Sequence, residues 1–209
     1  PLITGFTESI GGSAAAMGFV GGLMNLCSLF CRPLAGNLAD RLSKYRVSLI
    51  GALFMTAACA GYIFAPNGAV VALSRIINGI GFSCCSVCMA TWMSNMLPKE
   101  KIGSGMGFYG TMNALAMAAA PAVGISVYQR FGYRAAFCIA LVFSIAIIIA
   151  IQFIKDKGEP VRGGTEKRKK LRLTDVRILP IAFIIMLFAV PYCATQSFLV
   201  TYAQVRGLD

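Results

Sequence analysis

Charge falls along this chain in clumps, and the gaps between clumps are long enough to cross a lipid bilayer. Six apolar stretches run approximately 17–39, 47–64, 70–97, 102–128, 134–154 and 178–202. At about 1.5 Å of rise per helical residue, each is matched to the roughly 30 Å of hydrocarbon in a membrane. The third and fourth exceed what a perpendicular helix needs, so tilt is expected. Only 13% of the residues are charged and 57% are hydrophobic, whereas a soluble domain carries about 25% charge. Alternation of period two is absent, and open sheet edges do not survive in hydrocarbon. The expected fold class is therefore an all-α membrane protein.

The loops set an orientation. Segments 41–46, 98–102 and 155–177 fall on one side and hold fourteen of the basic residues, against Arg130, Arg134 and Arg206 on the other. An excess of Lys and Arg marks the cytoplasmic side. The chain opens at Pro1 with no initiator Met and no basic-then-apolar leader. Both of its ends are expected outside, with 206–209 reading as an inter-helix loop. The long inside segment carries Gly158, Pro160, Gly163 and Gly164, then Lys167 to Lys170. It reads as a linker between two helical bundles, lying against anionic lipid at about 1 kcal/mol per basic side chain. A nucleic-acid partner is not expected. Residues 2–11 and 199–207 echo one another weakly across this linker, a pattern that bundle repeats in transporters produce.

Several chemistries lack their residues. The eight cysteines lie mostly inside apolar segments, and the chain has no His. Cys84, Cys85 and Cys88 alone do not supply the four ligands of a zinc site and read as small packing residues. No metal and no cofactor are expected. A membrane enzyme would need a Ser/His dyad, paired acids or a metal triad, so the chain is not read as an enzyme. The string Gly105-x-Gly107-x-x-Gly110 has the form of a dinucleotide fingerprint, but no strand or βαβ unit surrounds it.

The richest local pattern ends the first complete span, from Arg32 through Gly36, Asp40 and Arg41 to Lys44 and Arg46. Gly36 permits close approach of a neighbouring helix. Asp40 sets a carboxylate at the inner membrane edge among three bases, a cluster able to break and remake pairs when bundles rock. Simple membrane anchoring beside a helix-terminal acid explains the same residues equally well. The pattern Gly36-x-Leu38-Ala39-Asp40-Arg41-x-x-Lys44-x-Arg46 resembles motif A of the major facilitator superfamily, between the second and third helices of that fold. Ser43 stands where a Gly is usual and Tyr45 where a second base is common, departures that weaken the loop's turn and charge. The resemblance implies that Asp40 helps latch the outward-facing state through a helix of the second half.

Two further stretches resemble motifs of the same family, in the order it requires. Arg75-Ile76-Ile77-Asn78-Gly79 resembles motif B, with Asn78 for the usual Gln. An Arg inside a span is costly unless it faces a wet cavity or a partner. The resemblance gives Arg75, with Asn78 and Gly79, a part in proton coupling or substrate contact; snorkelling is the packing alternative. Gly107, Ala116, Ala120, Pro121 and Gly124 resemble the antiporter motif C, with two glycines replaced by alanine. Pro121 opens the backbone hydrogen bonding and the small residues favour tight helix packing. Asn25, Ser28 and Arg32 form a stripe with Gly18, Gly21 and Gly36. Taken singly, these polar residues also read as interhelical hydrogen bonds; with Phe82, Met89, Asn113, Met117, Tyr192 and Gln196 they point together to an apolar cavity suited to lipophilic or weakly polar solutes.

The resemblance implies the N-terminal six-helix bundle of a twelve-helix fold, its first helix mostly missing (1–154), a cytoplasmic linker (155–177) and the first helix of the second bundle (178–209). The implied function is proton-coupled export of small molecules by alternating access in the cell membrane. A nutrient importer of the same fold and a non-transporting receptor or scaffold are the alternatives. The substrate and the oligomeric state are not legible.

Overall fold

The computed structural model describes residues 2–159, 179–181 and 183–191, which are mostly helical with no strand among them. Helix is the local form in which an apolar segment satisfies its own backbone groups without water. Helix α1 (Leu2–Ser9) closes where the Gly11 N–H donates to Glu8 O and the Gly12 N–H to Thr7 O, a turn that uses Gly11 at φ 84. Ser13 caps α2 (Ala14–Arg41) by accepting from the Ala16 N–H. Leu42 and Ser43 link α2 to α3 (Lys44–Ile63). Asn67 caps α4 (Gly68–Met96), which stops two residues before Pro98. A 3-10 turn, Lys99–Lys101, leads into α5 (Ile102–Gln152). The chain divides into two compact units between Arg162 and Gly163. The second contains α6, the apolar helix Leu179–Pro191.

Within the first unit, buried clusters show which helix ends meet. Val20, Ala58, Tyr62, Val71 and Phe137 form one cluster with Phe6 and Tyr133 packed against it. It joins the start of α2, the end of α3 and the start of α4. At the opposite end Ala35, Ala39, Val47, Cys84 and Cys88 pack together, beside Ala52, Cys85, Trp92 and Ile151. The helices α2, α3 and α4 therefore run antiparallel in turn.

Helix α5 is not one span. Straight, residues 105 and 151 would stand about 69 Å apart. Yet a side chain at Gly105 would meet Leu97, while Ile151 packs with Trp92 only five residues earlier on the chain. The chain reverses at Gly132, whose φ of 81 and ψ of 179 lie outside the helical region. The arms on either side are the fourth and fifth expected spans. Among the described residues four helices are long and apolar enough to cross a membrane, and each arm of α5 is long enough to do so by itself. Residues 192–202 of the sixth expected span lie outside the described residues.

Small residues crowd the helix contacts, with Tyr62, Trp92 and Phe137 the large rings buried among them. Ala35, Ala39, Ala58, Ser48, Ser83 and Cys88 are buried, whereas Phe30 is 71% exposed and Phe143 66%. Lipid tails are as apolar as leucine, so large side chains gain little by turning inward and small ones let backbones approach. The closest approach is α3 on α4. A Cβ on Gly81 would stand 2.6 Å from Gly51 O, and one on Gly51 would stand 2.8 Å from Cys85 Sγ.

Candidate functional site

The α2–α3 turn collects charge at the end of the bundle where α2 finishes. The Leu42 N–H donates to Leu38 O, closing α2. Ser43 follows at φ −58 and ψ 125, an ordinary backbone region. The expectation that losing the usual Gly weakens this turn is thereby corrected, since no left-handed residue is needed there. Ser43 Oγ instead donates to Lys157 O at 2.6 Å. Asp40, Arg41 and Arg46 are exposed, while Lys44 is only 3% exposed. Asp40 and Lys44 both lie within electrostatic reach of Cys88 on α4. Gly36 has nothing within 4 Å of a would-be Cβ, so the expected close approach there is not made by any described helix.

Arg75 lies inside α4 and reaches α2. Its Nε donates to Val20 O at 3.0 Å, Nη2 to Gly21 O at 2.6 Å, and Nη1 approaches Met24 Sδ at 3.4 Å. The cost of a cation within the span is met by carbonyls of a neighbouring helix, so Arg75 is a tie between α4 and α2. Asn78 Nδ2 donates to the Tyr62 hydroxyl at 3.4 Å, bringing α3 into the same polar track. Gly79 seats α4 on α2, because a Cβ there would stand 2.7 Å from Met24 O and 3.0 Å from Cys27 Cβ.

The expected polar stripe on α2 is split. Ser28 and Gly21 turn toward other helices: Ser28 is buried beside Gly79, and Gly21 lies under Thr4. Asn25 and Arg32 are exposed, and Gly18, Gly22 and Gly36 meet nothing. The reason is geometric: positions 20, 24, 27, 28 and 31 keep the heptad facing α4, and 18, 25 and 32 fall beside it. Phe82 is half-buried, and Met89 packs against the core around Trp92. On the first arm of α5, Asn113, Met117 and Pro121 are exposed and Gly107 is open; a Cβ on Gly124 would stand 3.3 Å from Leu2 Cδ1 of α1. The tight packing expected of this motif is thus realised among the described residues only at Gly124. Tyr192 and Gln196 lie outside the described residues.

Sequence reading missed a group that the fold assembles beside the turn: Tyr45, Trp92, Gln152, Asp156, Lys157 and Gly158. Its members lie up to 113 positions apart, beyond any local window. The Asp156-x-Gly158 spacing of a tight turn was the available signal.

Comparison with known proteins follows the same lines. The family model described as Major Facilitator Superfamily matches residues 1–209. Multi-drug resistance efflux pump PmrA of Streptococcus pneumoniae serotype 4 is 30% identical over 169 residues, covering 77% of this chain and 41% of its own length. Quinolone resistance protein NorA of Staphylococcus aureus is 21% identical over 214 residues, covering 97% of this chain and 55% of its own length. The chain thus spans about half or less of these relatives. The crystal structure of peptide transporter POT in complex with sulfate shares the fold, with a TM-score of 0.63 at 18% identity over 96% of this chain and 42% of that one.

Proposed function

This chain belongs to the major facilitator superfamily, and from that premise we propose that the whole protein is a proton-coupled exporter of small lipophilic or weakly polar compounds. It is a multi-pass protein of the cell membrane. Residues 1–154 are assigned to the first bundle, 155–177 to the linker and 178–209 to the start of a second bundle. Loops 41–46, 98–102 and 155–177 are placed in the cytoplasm. Relatives named as multi-drug and quinolone resistance proteins favour export.

The observation that carries the reading is the α2–α3 turn, which sets an exposed Asp40 at the end of α2 and a buried Lys44 at the start of α3. In the proposal, Asp40 pairs with the second bundle in one state and releases it in the other, with Arg41, Lys44 and Arg46 as exchange partners. The faces carrying Gly36, Asn25 and Arg32 on α2, and Gly107, Asn113 and Pro121 on α5, are open for that bundle and for substrate. Arg75, Asn78 and Gly79 contribute to coupling by fixing how α4 seats on α2.

Proteoliposomes of the full-length protein, loaded with a lipophilic dye, test this. An imposed pH gradient should drive dye against the direction of proton flow, and Asp40→Asn should slow that flux about tenfold, the cost of one lost charge-assisted pairing in the moving step. Unimpaired flux in the variant overturns the role of Asp40. Dye moving with the protons makes the protein an importer.

A further inference from the structure

The segment that leaves α5 does not run directly away from the bundle; it folds back across the α2–α3 turn. The Lys44 N–H donates to Gly158 O at 2.9 Å and Ser43 Oγ to Lys157 O at 2.6 Å. Tyr45 donates its hydroxyl to Gln152 Oε1 at 2.5 Å, and the Lys157 ammonium sits 4.2 Å over the Tyr45 ring. Asp156 Oδ1 accepts from the Gly158 N–H at 2.8 Å, fixing the bend. Gly158 is buried at φ 55. A Cβ there would stand 2.9 Å from Lys44 Cβ and 3.0 Å from both Trp92 Cδ1 and Nε1. Glycine meets both demands of this position, positive φ and no room for a side chain.

We infer that residues 156–158 are a strap that clamps the α2–α3 turn to α4, making Ser43, Asp156 and Gly158 positioning residues for the conformational switch. Two of the turn's residues find their use in it. The Ser43 hydroxyl is turned to the strap and does not cap α3. Tyr45, lacking a cation of its own, receives one from Lys157 through its ring. The strap also covers the Lys44 stem, leaving that lysine buried while Lys99 and Lys101 are exposed. Because residues 156–158 hold the α2–α3 turn through main-chain and side-chain bonds, the turn and the strap move as one body. The inference rests on reading the α2–α3 turn as the switch.

Its test is acylation of the full-length protein in membranes by an amine-reactive reagent, read at each lysine by mass spectrometry, with dye flux measured on the same preparations. In the unaltered protein Lys44 should react far more slowly than Lys101. Gly158→Ala should speed Lys44 acylation about tenfold by shifting the local opening equilibrium, with Lys101 unchanged. It should also change the turnover rate while leaving KM as it was. Ser43→Ala removes only one hydroxyl contact and should give about a threefold rise; it decides the matter if Gly158→Ala fails to accumulate. Lys44 reacting as fast as Lys101 in the unaltered protein overturns the strap, as does continued protection in both variants. Released labelling with unchanged turnover, where Asp40→Asn is slow, overturns the positioning role. Normal flux in Asp40→Asn counts against the switch reading alone, and the labelling result then judges the clamp by itself.

Discussion

Gly81→Val is expected to remove folded protein from the membrane. A Cβ at this position would stand 2.6 Å from Gly51 O, 2.9 Å from Met55 Cγ and 3.0 Å from Met55 N. The methionine side chain can move aside, but the backbone of α3 cannot without separating the two helices along their crossing. Overpacking a well-packed interior costs about 1–3 kcal/mol when side chains can adjust. Here the obstruction is main chain, so a loss of about 3 kcal/mol or more is expected, a large share of the roughly 5–15 kcal/mol that holds a folded protein together. Gly36→Ala is the matched control. Nothing lies within 4 Å of a Cβ at Gly36, and alanine favours helix over glycine by roughly 0.5–1 kcal/mol. Size-exclusion profiles and thermal unfolding of the detergent-extracted full-length protein check both. A monodisperse Gly81→Val protein of ordinary stability would show that the α3–α4 crossing is not where the chain packs tightest.

Arg75→Ala should destabilise the bundle by about 2 kcal/mol. Two charge-assisted hydrogen bonds to Val20 O and Gly21 O disappear, each ordinarily worth about 1.5–3 kcal/mol in water-soluble proteins. Two considerations lower the sum. Bonds between membrane helices return less, roughly 0.6 to 2 kcal/mol, because the separated helices find other partners. Moreover, both carbonyls sit inside α2 and keep their intrahelical bonds, so no orphaned acceptor is left behind. Arg75→Lys preserves charge but not the fork, and should recover less than half of the loss. Thermal unfolding of the three proteins measures this. If Arg75→Ala unfolds like the unaltered protein, Arg75 is not a tie between α4 and α2, and its charge must serve the transport step directly.

What the sequence made legible follows from the range over which each feature is encoded. Spans are written locally, as runs of apolar residues bounded by Ser13, Asn67 and Pro98, and the first five emerge within a few residues of the helices found. The join at Gly132 was legible as a charged loop between Arg130 and Arg134. Glycine spacing was the guide to close packing, but it was not applied to Gly79, read as a coupling or substrate residue, which sits at the α4–α2 contact. It failed for Gly36 and Gly107 because a glycine's environment depends on which helix lies opposite, and no described helix lies opposite these two. Arg75 was legible as a costly cation, but its partners are carbonyls of Val20 and Gly21, and a backbone acceptor leaves no trace in residue identity. The clamp on Lys44 was illegible for the same reason, since Lys157 and Gly158 offer main-chain oxygens to residues more than a hundred positions away.

All of this depends on which side of the membrane each loop occupies. Cysteine placed at Lys101 and, separately, at Arg130 of the full-length protein, probed with a membrane-impermeant maleimide on intact cells, reads that directly. Arg130→Cys should label at once, and Lys101→Cys only after the cells are permeabilised. Equal labelling of both from outside would contradict the membrane crossing of residues 102–131 and, with it, the placement of the α2–α3 turn in the cytoplasm.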